Sequence, residues 1–143
     1  MRIAIEVASA AIGTICFCIL FCIPKKYFIV CGGIGAAGWL IYRLLLLADL
    51  SDFLACLVAT IVITLLSRFS AVRTKTPSTI YLLPGILPLI PGGGIYRTVF
   101  YLINNDVHSA VNVGLNSISI VGGIVLAIVL VFEIPQRFFR TRR

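Results

Sequence analysis

The chain has 143 residues, of which 60% are hydrophobic and 12% charged, and its mean hydropathy is +1.11. A water-soluble fold of this length cannot bury so much apolar surface in one core, because a small domain leaves much of its chain at the surface. The composition therefore predicts an integral membrane protein, with the lipid bilayer as solvent and room for four or five spans of about twenty residues.

The formal net charge of +7 is compatible with nucleic-acid binding, but the basic residues fall between or after apolar runs. That placement is typical of the cytoplasmic loops of membrane proteins. Aromatic residues are not interleaved with polar groups that could read bases, so we expect no nucleic-acid partner. The basic clusters are Lys25 and Lys26; Arg68, Arg73 and Lys75; and Arg137, Arg140, Arg142 and Arg143.

Five apolar segments predict an all-α integral membrane protein, since lipid-facing backbone must satisfy its hydrogen bonds internally. We expect one transmembrane domain over residues 1–143, with the fourth span broken by Pro and Gly and a basic cytoplasmic tail at 133–143. The predicted spans are about 3–23, 28–47, 51–68, 79–103 and 108–132.

The distribution of charge also predicts an orientation. With the basic tail in the cytoplasm, five spans place nine of the twelve Lys and Arg residues on the inner side and the N-terminus outside. Asp49, Asp52 and Asp106 then lie in exposed outer turns. A four-span topology would divide the basic residues between the two sides.

The five cysteines, Cys16, Cys18, Cys22, Cys31 and Cys56, lie within or at the ends of apolar runs. None forms a CxxC pair, and the single His108 lies far from them in sequence. We interpret them as small packing residues and expect no metal site, disulfide framework or cofactor. The sequence also offers no nucleophile with a base, so we do not expect an enzyme.

Three segments carry faces that are poorly suited to lipid. The second has small residues at four-residue spacing, such as Gly33 and Ala37, which favours close helix packing. Asparagines are costly against lipid, so Asn112 and Asn116 in the last segment should face protein or water. Helix packing and the lining of a polar pathway both remain open for the polar stripes, which are Cys56, Thr60, Thr64 and Ser67 in the third segment and His108, Asn112, Asn116, Ser119 and Gly123 in the last.

The fourth segment is apolar enough to enter the bilayer, yet Pro84, Pro88 and Pro91 remove backbone donors. Gly85 and Gly92–Gly94 add backbone without side chains, so a continuous helix is not expected. A helix resuming at about residues 95–104 would offer free amide groups to an anion, as the broken helices of transporters do. Arg97, one turn further on, would add positive charge. The alternative is a proline-kinked helix that only packs against its neighbours.

The Leu87-Pro88-Leu89-Ile90-Pro91-Gly92 run followed by Tyr96 resembles the proline–glycine motif of the threonine/serine exporter family. It is most similar to the small, separately encoded subunit of the split form. Further similarity is spread along the chain, at residues 21–24, Trp39, Arg43, Ser67-Arg68, Pro77 and residues 117–123.

This resemblance implies a small subunit that works with a larger membrane subunit of the same family in a bacterial cell (inner) membrane. It implies ion-gradient-driven export of threonine and serine, or of dicarboxylates such as succinate, and a homo-oligomer is a further possible assembly. Pro88, Pro91 and Gly92 carry over from the family motif. With Gly93, Gly94, Tyr96, Arg97, Asn112 and Asn116 they form the predicted substrate-binding or pathway residues.

Proton coupling would need a carboxylate that changes its protonation in a membrane cavity. Of the five acidic residues, Glu6 is the candidate, about one turn into the first span, although an interfacial carboxylate that reaches water is an equal interpretation. Otherwise the coupling acid lies on the partner. The alternative function is a structural or assembly membrane protein without a direct translocation role.

Overall fold

The computed structural model describes residues 2–134, so the predicted basic tail lies outside the described residues from residue 135 onward. All the regular secondary structure in this range is helical, which confirms the predicted all-α fold. The helices are α1 (Arg2–Leu20), α2 (Phe28–Leu47), α3 (Asp52–Thr74), α4 (Thr79–Ile86), α5 (Gly92–Ile103) and α6 (Val107–Phe132). A short 3₁₀ turn at Lys25–Tyr27 precedes α2, and another at Leu87–Leu89 follows α4.

Four helices, α1, α2, α3 and α6, are each long and apolar enough to cross a membrane. Residues Thr79–Leu89 and Gly92–Ile103 are together long and apolar enough for a fifth crossing if the pair is counted as one span, and they are bent by 48° at the break between them. The prediction of about five segments with an interrupted fourth is therefore confirmed.

Several predicted helix ends were wrong by a few residues. α1 ends at Leu20 instead of near residue 23, because the chain turns at Cys22 with a left-handed φ of 53°. α3 continues past residue 68 to Thr74, where Lys75 takes a left-handed φ of 53° and its N–H bonds to the Ala71 carbonyl. α5 begins at Gly92, three residues before the predicted start.

Glycine allows α2 to approach its neighbours closely. A Cβ at Gly35 would lie 2.9 Å from the Cβ of Thr14 on α1, and one at Gly38 would overlap Ile63 on α3. A Cβ at Gly33 would meet nothing within 4 Å. The predicted packing pair of Gly33 and Ala37 was therefore wrong, because the contact face follows Gly32, Gly35 and Gly38 at three-residue spacing.

The polar stripe of α3 lies inside the protein. Cys56, Thr60, Thr64 and Ser67 are all fully buried, and the Thr64 hydroxyl donates to the Thr60 carbonyl at 2.7 Å. The buried Thr60 and Ser67 hydroxyls have no hydrogen-bond partner among the described residues. Small residues on a fully buried face nevertheless suit close helix packing. The structure therefore favours the packing interpretation for this stripe over the pathway interpretation.

The two halves of the interrupted segment have different surroundings. α4 is inserted among α1, α2 and α3, with Tyr81 fully buried and its hydroxyl 2.9 Å from Thr74 Oγ1. Pro84 cannot donate to the Ile80 carbonyl one turn earlier, and the Cys31 thiol donates to that carbonyl instead, at 3.7 Å. In α5, by contrast, no residue is buried within the described part of the chain.

Arg68 was predicted in a cytoplasmic loop, and that prediction was wrong. It lies inside α3 and is only 6% exposed, because the helix continues beyond the apolar run. Its guanidinium donates to the Val131 carbonyl of α6 and lies 5.4 Å from the centre of the Phe132 ring. This contact joins the end of α6 to the second half of α3.

Among the described elements, α5 packs mainly against α6. Asn116, nine residues into α6, donates to Asp52 at the first turn of α3. The preceding part of α6 is on the order of 13 Å long, at about 1.5 Å per residue. α5 packs along this part of α6, since a Cβ at Gly114 would lie 3.2 Å from the Thr98 side chain.

Candidate functional site

A cleft of about 400 Å³ opens between α5 and α6, and we call it the α5–α6 cleft. It joins the residues after the break to the polar face of the last helix. Five of the predicted site residues line it, although the two groups lie well apart in sequence. Its lining comprises Pro91, Gly94, Arg97, Asn112, Val113, Asn116, Ser117 and Ile120.

The α6 wall of this cleft is polar. Asn112 and Asn116 are one turn apart, so their side chains lie on the same face of the helix. The Asn112 amide nitrogen lies 3.4 Å from His108 Nδ1, and Asn116 Nδ2 donates to Asp52 Oδ2 at 3.1 Å. Both asparagines are exposed within the described chain, so their polar groups are available from the cleft.

The α5 wall begins at the helix N-terminus. The first N–H groups of a helix have no acceptor within it, and those of Gly93 and Gly94 have no hydrogen-bond partner among the described residues. A Cβ at Gly94 would overlap the Ser117 hydroxyl. This close approach brings the start of α5 against α6, with Arg97 one turn further along the same wall.

The cleft is electropositive along its α5 wall. The Arg97 guanidinium carries a full charge and five donors, and the N-terminus of α5 adds a partial positive charge. Such a wall can hold a carboxylate through charge-assisted hydrogen bonds. The amide groups of Asn112 and Asn116 that are still free on the opposite wall can form hydrogen bonds with the other polar groups of the same ligand.

Pro88 and Glu6 are not brought to the α5–α6 cleft. Together they line a second, mostly apolar cleft of about 380 Å³ against Trp39 of α2. Glu6 forms an ion pair with Arg43, with Glu6 Oε2 2.6 Å from Arg43 Nε. This ion pair joins the start of α1 to the end of α2, so Glu6 has a structural contact beside its predicted coupling role.

Tyr96, Gly92 and Gly93 lie next to the cleft but not in its wall. Tyr96 is 70% exposed and its ring stacks on that of Phe100, with 6.3 Å between ring centres. Both glycines are exposed, and a Cβ at either would meet nothing within 4 Å. Their side of α5 faces away from α6.

The sequence reasoning missed three residues near these sites. Asp52 was placed in an exposed outer turn, which was wrong: it is half-buried in the first turn of α3 and bonded to Asn116. Ser117 was noted only in the family motif. The ion pair of Arg43 with Glu6 was not predicted. Glu6 lies four residues after the start of α1 and Arg43 four residues before the end of α2, so in consecutive antiparallel helices the two fall at the same level and could have been paired.

Within residues 2–134, no three His, Cys, Asp or Glu side chains come together in a group that could hold a metal ion. All five cysteines are free thiols. Cys18, Cys31 and Cys56 are fully buried in the helix interfaces, whereas Cys16 and Cys22 are exposed. Packing therefore accounts for three of the five.

Membrane-length helices, an interrupted segment and a cleft beside that interruption are features of multi-pass membrane transport proteins. Comparison with family models then identifies the family. The chain belongs to the family described as threonine/serine exporter, ThrE, whose model matches residues 6–134. Comparisons with curated proteins and with solved structures found no match.

Proposed function

We propose that this chain is the small subunit of a two-component secondary exporter in a bacterial inner membrane. Its substrates are threonine, serine or related small acids, dicarboxylates such as succinate included. It works with a larger membrane subunit of the same family, with its N-terminus outside and its C-terminus in the cytoplasm. The family membership supports the transport role, and the distribution of basic residues supports the orientation.

The observation that carries this proposal is the placement of Arg97 opposite Asn112 and Asn116 in one cleft beside the break. A guanidinium can bind a carboxylate through two parallel hydrogen bonds. Every proposed substrate has a carboxylate, and the unpaired amides of Gly93 and Gly94 lie one turn from Arg97. The cleft thus supplies hydrogen-bond donors and positive charge for the carboxylate of a small acid.

The need for a second subunit follows from how much of α5 is uncovered. Arg97, Asn112 and Asn116 are all exposed within the described chain, and a polar site facing lipid would be unfavourable. The cleft therefore suits either water or another protein surface, and we propose that a protein surface closes it. The larger family subunit is our proposed partner, and a second copy of this chain is the alternative. The exposed apolar residues that it would cover include Ile95, Tyr96, Val99, Phe100 and Ile103.

The second candidate function is a structural or assembly protein with no translocation role. The uncovered face of α5 favours it, since such a face could serve only to hold a partner. It gives no account of why charged and amide groups converge in the cleft. Under this alternative, changes to cleft residues would act only through the amount of assembled complex.

Efflux measurements distinguish these functions. Proteoliposomes that contain the chain, the larger subunit or both are loaded with labelled threonine, serine or succinate. We expect efflux above that of empty liposomes only when both subunits are present. Equal rates in the paired and empty liposomes for all three substrates would contradict the exporter role.

A glycine pair in α5 tests whether the cleft is part of the transport path. Gly94→Val places a branched side chain against Ser117, whereas the same change at Gly93 enters open space. The cost of β-branching in a helix is shared by both variants. At equal amounts of assembled complex, we expect Gly94→Val to lower the efflux rate about tenfold or more and Gly93→Val to keep it within about twofold. Equal rates in the two variants would separate the cleft from transport.

A further inference from the structure

We infer that Asp52 is a specificity-determining positioning residue of the α5–α6 cleft, which selects α-amino acids over acids that lack an amino group. This inference rests on the proposed transport function. It concerns a residue that does not line the cleft itself but contacts one that does. The contact is the 3.1 Å hydrogen bond from Asn116 Nδ2 to Asp52 Oδ2, which joins the start of α3 to the middle of α6.

The bond determines which end of the Asn116 side chain is left for a ligand. An ionised carboxylate can only accept hydrogen bonds, and an amide has a nitrogen that donates and an oxygen that accepts. Asn116 must therefore turn its nitrogen toward Asp52. The amide oxygen remains as the free acceptor, in a residue that lines the cleft.

The surroundings of Asp52 hold this arrangement in place. Asp52 is half-buried in the first turn of α3, and Ser51 caps that helix by accepting the N–H of Leu54 at 3.4 Å. Asp52 is therefore held between the first turn of α3 and Asn116 of α6 and is not fully exposed.

The cleft then has two ends of opposite character. Arg97 lies in the α5 wall as a positive donor, and Asn116 offers an acceptor backed by the negative charge of Asp52. An α-amino acid has a carboxylate and an ammonium group a few ångströms apart, so it matches both ends. A dicarboxylate would bring its second negative group toward Asp52 and be repelled.

Two probes that differ mainly in the ammonium group test this inference. L-serine and 3-hydroxypropionate share the carboxylate and the hydroxyl, but only serine has the ammonium. The measured quantity is the concentration of each that half-inhibits transport of labelled serine by the complete two-subunit complex in proteoliposomes. Succinate serves as a third competitor.

For the native chain we expect serine to compete about tenfold better than 3-hydroxypropionate, the usual order for one charge-assisted contact. Asp52→Asn keeps the shape and removes the charge, so this preference should fall to about twofold or less, while succinate improves. Asp49→Asn is the matched control: it removes a neighbouring carboxylate, and asparagine tolerates the left-handed φ of 58° at that turn. It should leave the preference unchanged.

If Asp52→Asn does not assemble, Asn116→Ala removes the free acceptor and should also abolish the preference for serine. If the half-inhibiting concentrations of serine and 3-hydroxypropionate keep the same ratio in these variants as in the native chain, the inference is overturned and the exporter role stays intact. Absence of any transport by the native complex would overturn the proposed function, and this inference with it.

Discussion

Replacement of Arg97 by glutamine should lower the efflux rate by about tenfold to a hundredfold at limiting substrate. Hydrogen bonds to charged groups contribute about 1.5–3 kcal/mol, and Arg97 is the charged side chain in the lining of the α5–α6 cleft. Glutamine keeps much of the length and hydrogen-bonding capacity but has no charge. The loss should therefore reflect the missing attraction for the substrate carboxylate.

Arg97→Lys should give an intermediate rate, because lysine keeps the charge but not the planar pair of donors. Arg73→Gln provides the matched control, because it also removes an arginine charge. Arg73 lies in the last turn of α3, at the end away from Asn116, and its guanidinium is 4.3 Å from the Phe69 ring centre. The rates are measured in proteoliposomes with both subunits, at equal amounts of complex. Normal efflux by Arg97→Gln would remove Arg97 from the site.

Gly35→Ala should destabilise the helix bundle, whereas Gly33→Ala should stabilise it. The added methyl group at Gly35 would overlap the Thr14 hydroxyl and lie 2.9 Å from its Cβ, an atom fixed close to the α1 backbone. Overpacking of this kind costs about 1–3 kcal/mol. At Gly33 the methyl group has nothing within 4 Å, and alanine is favoured over glycine in a helix by about 1 kcal/mol.

A double variant shows whether Thr14 is the cause. Thr14 donates within its own helix to the Ala10 carbonyl at 2.8 Å, so Thr14→Ala removes the hydroxyl without breaking a bond between helices. Combined with Gly35→Ala, it should recover most of the lost stability, as contacting residues do in a double-mutant cycle. Thermal midpoints in detergent give the comparison. A double variant no more stable than Gly35→Ala would contradict the packing described here.

The features that were predicted correctly depend only on short, continuous stretches of the sequence. Each span is one continuous apolar run, and the break at Pro91 follows from residues that cannot continue a helix. The placement of Arg97 and Asn112 in one cleft was not predicted, although it could have been. The two residues lie on consecutive helices joined by a short turn, which favours antiparallel neighbours.

The wrong predictions concern contacts that depend on the relative positions, along their axes, of helices that are distant in sequence. Asp52 and Asn116 are separated by 64 residues, and their contact depends on α3 starting beside the middle of α6. No local sequence pattern indicates this axial offset between α3 and α6. Arg68 was misplaced for a related reason, because α3 continues beyond its apolar run and is covered there by the end of α6.

The choice of packing face in α2 was a different kind of error. Gly32, Gly33, Gly35 and Gly38 are all small enough to lie in an interface, so composition alone does not select among them. The deciding factor is the partner, since Gly35 lies on Thr14 and Gly38 lies on Ile63. Tertiary contacts of this kind determine the rotation of a helix that is apolar on all sides.

The central claim is that substrate occupies the cleft between α5 and α6, and protection of a single cysteine tests it most directly. Cys16 and Cys22, the two exposed cysteines, are first replaced by serine. Asn112→Cys then places a thiol in the cleft, and Tyr96→Cys places one on the outward side of α5 as the control. Labelling by a membrane-permeant maleimide is followed in the assembled complex, with and without threonine or serine. We expect substrate to slow labelling at position 112 severalfold and to leave labelling at position 96 unchanged. Equal labelling at position 112 with and without substrate would contradict binding in the cleft.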